Sequence, residues 1–201
     1  MLQIGEQTTA FDAIEFDEGL RWIDTLDDLA FLTKDLRARG RRDLAFLLLD
    51  AYLEASGDYS GLPALRFFMV SRALVRALVA RLAGTTEIEA GGNAPEIRYL
   101  QLAATLARDS DPRLAITHGL PGSGKTFVSR LLLQEVGAVR VRSDVERKRL
   151  FGLSALQSSR ESVPGGIYDA ATTQRTYARL PRPFAIFKVP DRPQLTRINA
   201  R

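Results

Sequence analysis

Residues 119–126 form a glycine-rich segment whose residue types suit the binding of phosphate. The segment reads Gly-Leu-Pro-Gly-Ser-Gly-Lys-Thr, the pattern of a phosphate-binding loop, or P-loop: glycine, four residues, then Gly-Lys-Thr. Its glycines allow successive backbone N–H groups to turn inward and surround phosphate oxygens. Lys125 would reach the β- and γ-phosphates of ATP, and the Thr126 hydroxyl would bind Mg²⁺. The predicted ATP site comprises Gly119, Leu120, Pro121, Gly122, Ser123, Gly124, Lys125 and Thr126, with Thr126 as the metal-binding residue.

The segments on either side of this loop predict the strands and the helix that should hold it. Residues 113–118 are a short apolar run, typical of a buried parallel strand. Residues 127–136 favour a helix, and Gly137 is expected to end that helix. Residues 138–141 indicate a second short strand. The order strand, loop, helix, strand predicts an α/β fold with a parallel sheet.

Two residues that follow the second predicted strand have the chemistry needed for phosphoryl transfer. Ligand groups in parallel sheets cluster at the carboxyl ends of the strands, so Asp144 would face the P-loop. Its carboxylate could accept the proton of a hydroxyl that attacks the γ-phosphate, while Arg147 could hold a substrate anion or neutralise transferring charge. Lys125, Asp144 and Arg147 are therefore the predicted catalytic residues. The alternative is that Asp144 only caps a helix and the basic run after it is a solvated surface.

Residues 113–180 resemble the small P-loop kinases that include zeta-toxin-like and polynucleotide-kinase-like proteins. The resemblance rests on the Leu-Ala-Ile-Thr-His strand, the P-loop, Ser143-Asp144 and Arg147-Lys148. It implies that Asp144 is the base toward a substrate hydroxyl, and that residues 166–180 contribute a substrate-side helix. A Walker B acid and the late arginine-bearing lid of these kinases have no counterpart in the sequence.

Residues 11–32 resemble the C-terminal lobe of aminoglycoside phosphotransferase-like proteins. That family carries a metal-binding acid after a strand, which would be Asp12 or Glu15 here, followed by an acidic helix start like Asp24-Thr25-Leu26-Asp27-Asp28. The whole chain resembles the central region of bacterial AAA-type ATP-binding proteins that join this lobe to a P-loop kinase domain. The His-Gly-Asp catalytic loop of the phosphotransferases does not occur in the sequence, so aminoglycoside phosphorylation by residues 1–110 is not expected.

These patterns predict three regions along the chain. Residues 1–110 would be a mainly helical fragment of a kinase-like C-terminal lobe, residues 111–180 a partial P-loop domain, and residues 181–201 an irregular tail. Within the first region we expect a strand at 8–16 and helices at about 24–39, 43–55, 62–84 and 96–108. The tail contains four prolines without periodic apolar residues, and truncation or a shifted reading frame is our hypothesis for it.

Composition narrows the classes of function. The 201 residues include no cysteine and one histidine, which excludes disulfides and thiolate metal sites and fits a cytoplasmic protein. Apolar runs are too short for a membrane span. Residues 1–60 carry a net charge of −7 and residues 61–201 a net charge of +11, so the basic part of the chain contains the P-loop.

The sequence therefore predicts ATP-dependent phosphorylation of an unknown hydroxyl-bearing small molecule, in an enzyme that truncation could leave inactive. A first alternative is a non-catalytic ATP-binding or regulatory module, and a second is a remnant of an aminoglycoside phosphotransferase. The basic region could also attract nucleic acid, but it lacks interleaved aromatic residues, and this interpretation ranks last.

Overall fold

The computed structural model describes residues 2–4, 7–9, 18–19, 22–83, 94–108, 115–120, 122–159 and 166–179. These residues include a short antiparallel hairpin of β1 (Leu2–Ile4) and β2 (Gln7–Thr9), in which Leu2 lies opposite Thr9. The helices of the described part are α1 (Thr25–Ala38), α2 (Arg42–Ser56), α3 (Leu62–Leu82), α4 (Pro95–Ala107), α5 (Lys125–Val136), α6 (Ser143–Arg149) and α7 (Ala170–Arg179). The predicted tail, most of the strand predicted at 8–16, Asp12 and Glu15 lie outside the described residues.

Local signals in the sequence account for the ends of the first helices. The Asp24 carboxylate accepts a hydrogen bond of 2.8 Å from the backbone N–H of Leu26 and so caps α1. Acidic residues in the first turn of α1 add a favourable interaction with the helix dipole. Helix α2 ends at Gly57, which adopts the left-handed conformation with φ +74° that a side chain would disfavour.

Helices α1 to α4 share one apolar core. Helix α3 packs against α1 and α4, and α1 packs against α2. The buried residues of this core are Leu26, Ala30, Leu49, Leu53, Tyr59, Leu62, Leu65, Met69 and Leu106. Val139 and Val141, which follow α5, pack against the same core. The segment behind the P-loop helix is thus part of the packing of the helical region.

Arginine side chains attach the C-terminal end of α5 and the residues after it to α2. The Arg42 guanidinium donates a 2.7 Å hydrogen bond to the backbone carbonyl of Val136, at the end of α5. Arg140 bonds both carboxylate oxygens of Asp50, at 3.1 and 2.6 Å. Because an arginine fork matches a carboxylate in geometry, this pair fixes orientation as well as distance. The P-loop helix is therefore held from its far end.

The two parallel strands expected around the P-loop are not found in the described residues. Residues 115–118 and 138–141 belong to neither a helix nor a strand. A strand needs a neighbour to receive its backbone hydrogen bonds, and residues 138–141 instead use their side chains against α2 and the helical core. Trp22, whose large apolar ring would suit the core, is instead 87% exposed.

Among the described residues, no helix combines the length and the apolar character needed to cross a membrane.

Candidate functional site

The P-loop starts α5 and has the backbone conformation that its glycines predict. Gly119, Gly122 and Gly124 have φ values of +146°, +81° and +80°, in a region that residues with side chains rarely adopt. A Cβ atom on Gly119 would lie only 2.9 Å from the Ser123 hydroxyl oxygen. Glycine is thus required here both for conformation and for space. Pro121 lies outside the described residues.

The Lys125 ammonium group is folded back onto the loop. Its Nζ donates hydrogen bonds of 2.8 Å to the carbonyl of Gly119 and 2.6 Å to the carbonyl of Leu120. The Ser123 hydroxyl lies 3.4 Å from the same nitrogen. These partners are neutral dipoles, so an anionic phosphate oxygen would be a stronger acceptor for the same ammonium group. The loop therefore holds the Lys125 ammonium group with its own carbonyl oxygens, and a bound phosphate could replace them as the acceptor.

Thr126 lies in the first turn of α5, where the N–H groups of a helix have no intrahelical acceptor. The positive end of the helix dipole favours an anion at this position. Among the described residues no group of three or more histidine, cysteine or acidic side chains could hold a metal ion. The Thr126 hydroxyl is an oxygen ligand of the kind that Mg²⁺ accepts, and this ion commonly takes its other ligands from nucleotide phosphates and water.

Apolar side chains around the loop are exposed. Ile116 and Leu120 are each 79% exposed, and Phe127, in the first turn of α5, is 68% exposed. In α/β proteins such side chains are normally covered by a neighbouring strand or helix. Their exposure agrees with the missing strand at residues 115–118.

Asp144 lies in the first turn of α6 and is bonded to Tyr168. The Tyr168 hydroxyl donates a 2.8 Å hydrogen bond to Asp144 Oδ1. Lys148 Nζ lies 3.6 Å from the other carboxylate oxygen. The N-cap residue of α6 is Arg142, so Asp144 is not the cap of this helix. The Asp144 side chain is 41% exposed, which leaves it accessible to a ligand.

Arg147 completes this cluster through the tyrosine ring. Its guanidinium carbon lies 4.9 Å from the centre of the Tyr168 ring, within the range of a cation–π interaction. Its Nε is buried and has no hydrogen-bond partner among the described residues, and in the same residues no carboxylate pairs with Arg147. Within the described residues, the charge of Arg147 is thus not neutralised by a carboxylate.

Tyr168 belongs to the Asp144 cluster, and the sequence analysis assigned it no role. Two neighbours hold it in place. Ile167 is fully buried, and the Asp169 carboxylate caps α7 by accepting hydrogen bonds of 2.7 Å from the backbone N–H and 2.6 Å from the hydroxyl of Thr172. The hydrogen bond to Asp144 raises the pKa of the Tyr168 phenol, because the carboxylate stabilises the neutral O–H. The sequence around Tyr168 shows only an aromatic residue just before a helix. Because 24 positions separate Tyr168 from Asp144, the sequence could not predict their contact.

A buried acid connects α6 to its surroundings. Glu146 pairs with Arg149 within α6, and Arg179 of α7 lies 3.8 Å from it. Arg149 also donates a 2.5 Å hydrogen bond to the carbonyl of Glu54 in α2. Burial, and next the charge of Glu146, raises the pKa of Tyr59 to about 12. These contacts fix the helix that carries Asp144 and Arg147 against α2.

The described residues thus contain two clusters that the sequence predicted as one site. Lys125 and Thr126 form one, and Asp144 and Arg147 form the other together with Tyr168. In this part of the chain no hydrogen bond or ion pair joins the two clusters. A ligand that spans both, such as a nucleotide triphosphate with an acceptor, would be needed to connect them.

Comparison with known proteins agrees with the P-loop interpretation. Residues 114–187 match a protein family described as an AAA domain, which supports a kinase-like, nucleotide-binding P-loop in this region. The match covers the P-loop, Asp144, Arg147 and Tyr168. This match does not reach residues 11–32, so their resemblance to aminoglycoside phosphotransferase-like proteins stays a prediction.

Curated relatives occur in mycobacteria. Uncharacterized proteins of Mycobacterium tuberculosis and Mycobacterium bovis are each 33% identical to this chain over 167 residues, which is 83% of the chain. The chain spans about a third of the length of these relatives, since the alignment covers 33% of each. No solved structure matches the chain.

Proposed function

We propose that this chain binds ATP at the P-loop and transfers its γ-phosphoryl group to a hydroxyl of a small molecule. The observation that carries the proposal is the loop itself: three glycines with positive φ precede α5, and carbonyl oxygens of the loop hold Lys125. The match of residues 114–187 to an AAA domain supports nucleotide binding at the same place.

The predicted roles divide between the two clusters. Backbone N–H groups of the P-loop and Lys125 bind and orient the phosphates. Asp144 accepts the proton of the acceptor hydroxyl, and Arg147 holds an anionic part of the acceptor or stabilises transferring charge. Thr126 would hold Mg²⁺ together with the phosphates, and the ion would supply charge neutralisation and orientation of the transferring group.

A non-catalytic ATP-binding module is the second candidate. The observation in its favour is the separation of the two clusters, because Asp144 bonds to Tyr168 rather than to any part of the P-loop in the described residues. Both candidates bind ATP, and they differ in whether ATP is consumed.

Calorimetric titration with ATP·Mg²⁺ tests the proposal. We expect binding by the natural chain and about 10- to 100-fold weaker binding by Lys125→Ala, because a charge-assisted contact to phosphate is lost. Arg130→Ala is the matched control, since Arg130 is an exposed cation of the same helix. Absence of binding by the natural chain, or equal loss in both variants, would contradict the proposal.

Formation of ADP then separates the two candidates. The kinase proposal predicts ATP turnover that falls about 100-fold or more in Asp144→Asn, while this variant still binds ATP. Binding without ADP formation in any variant would favour the non-catalytic module.

A further inference from the structure

We propose that Tyr168 is a phosphoryl acceptor within this chain, so that the protein phosphorylates its own tyrosine next to Asp144. The inference rests on the proposed function, because it requires ATP at the P-loop and Asp144 as the base. It goes beyond that function by assigning a modification site and a class of acceptor, a phenol.

The geometry around Asp144 is the geometry of a base with its acceptor in place. A general base must lie within hydrogen-bond reach of the hydroxyl whose proton it removes, at about 2.6–3.2 Å. The Tyr168 hydroxyl is 2.8 Å from Asp144 Oδ1 and is the donor in that bond. The phenol thus lies where the proposed base could remove its proton, and ATP bound at the P-loop would have to bring the γ-phosphate to it.

Comparison with the other described tyrosines singles out Tyr168. Its side chain is 61% exposed, whereas Tyr59 and Tyr99 are buried. Tyr177 of α7 is 60% exposed but has no hydrogen bond to a carboxylate within the described residues. Tyr52 lies 3.4 Å from Asp58, far along the sequence from the P-loop region. Tyr168 alone among these combines exposure with a hydrogen bond to the proposed base.

The transfer step needs no reactant other than a nucleoside triphosphate, and its bonds and electrons balance. The Tyr168 oxygen attacks the γ-phosphorus, and a new O–P bond forms. The bond between the γ-phosphorus and the bridging oxygen of the β-phosphate breaks, and ADP leaves with that electron pair. The phenolic proton passes to Asp144 Oδ1 and from there to solvent.

The product would be stabilised by cations already present at the cluster. Arg147 lies over the ring of Tyr168, and Lys148 lies beside Asp144. A phosphate on Tyr168 would carry nearly two negative charges, which attract these cations and repel the Asp144 carboxylate. Once modified, Tyr168 can no longer donate its proton to Asp144, so the reaction stops after one phosphate per chain.

Incubation with γ-labelled ATP·Mg²⁺, followed by peptide mass spectrometry, tests the inference. We expect the label on Tyr168, at no more than one per chain. Tyr168→Phe should remove the label, Asp144→Asn should reduce labelling about 100-fold or more, and the matched control Tyr177→Phe should leave it unchanged.

The outcomes separate this inference from the function on which it rests. Binding and turnover of ATP without label on Tyr168 would overturn the inference and leave the kinase proposal intact. Label that survives Tyr168→Phe, or that is lost equally in Tyr177→Phe, would also overturn it. Absence of ATP binding by the natural chain would overturn both.

Discussion

At the scale of single residues, two glycines with the same conformation have different surroundings. Gly137 ends α5 with φ +70°, and Gly152 follows α6 with φ +69°. A Cβ atom on Gly137 would lie 2.6 Å from Phe46 Cζ, whereas a Cβ atom on Gly152 would meet nothing within 4 Å. The comparison separates the cost of backbone strain from the cost of contact with α2.

We predict that Gly137→Ala destabilises the protein more than Gly152→Ala. The left-handed conformation alone costs a side chain about 1–2 kcal/mol, which is the whole effect expected for Gly152→Ala. Overpacking against Phe46 adds about 1–3 kcal/mol to Gly137→Ala. Urea unfolding curves of the two variants measure the difference in the free energy of unfolding. Equal losses would mean that α5 does not pack on α2 as described.

The sequence was informative about the helices and their ends because those signals are local. The predicted helices at 24–39, 43–55, 62–84 and 96–108 are confirmed to within two residues at each end. The strands predicted at 113–118 and 138–141 are not found in the described residues, because an apolar run forms a strand only where a neighbouring strand receives its hydrogen bonds. The contact of Tyr168 with Asp144 was missed because the two residues are distant in sequence. The loop glycines were predictable because their conformation is a property of the residue itself.

At the scale of elements, the pair of Arg140 and Asp50 fastens the segment after α5 to α2. The two side chains are only 13% and 11% exposed, so removal of one charge leaves the other poorly solvated. We predict that Asp50→Asn lowers the free energy of unfolding by about 2 kcal/mol. This is less than the loss for a fully buried pair, because Glu54 remains 3.4 Å from Arg140.

Asp43→Asn is the matched control for this substitution. Asp43 lies on the same helix and pairs with Arg41, but these side chains are 39% and 55% exposed. An exposed pair of this kind contributes less than about 1 kcal/mol. Denaturant unfolding of both variants measures the change in the free energy of unfolding. If Asp43→Asn lowers this free energy as much as Asp50→Asn does, the role assigned to the buried pair is contradicted.

At the scale of the whole molecule, α2 connects the helical core to the P-loop region. Nucleotide binding should therefore stabilise both regions of the described structure. Helix α2 belongs to the core of α1 to α4, and it also bonds the end of α5 and the residues that precede Asp144. Val139 and Val141 extend that core to the P-loop side. Because one core serves both regions, they should unfold together rather than one after the other.

We predict a single thermal transition that ATP·Mg²⁺ shifts as a unit. A ligand that binds only the folded state adds about 2.7 kcal/mol at a free concentration of 100 times Kd, which for a chain of this size raises Tm by about 5–10 °C. Circular dichroism at 222 nm reports the helices of both regions. At the same ATP concentration, Lys125→Ala should keep the transition but reduce the added stability to about 0.4–1.4 kcal/mol, because its Kd is 10- to 100-fold higher. Two transitions, of which ATP moves only one, would show that the P-loop region unfolds independently of α1 to α4.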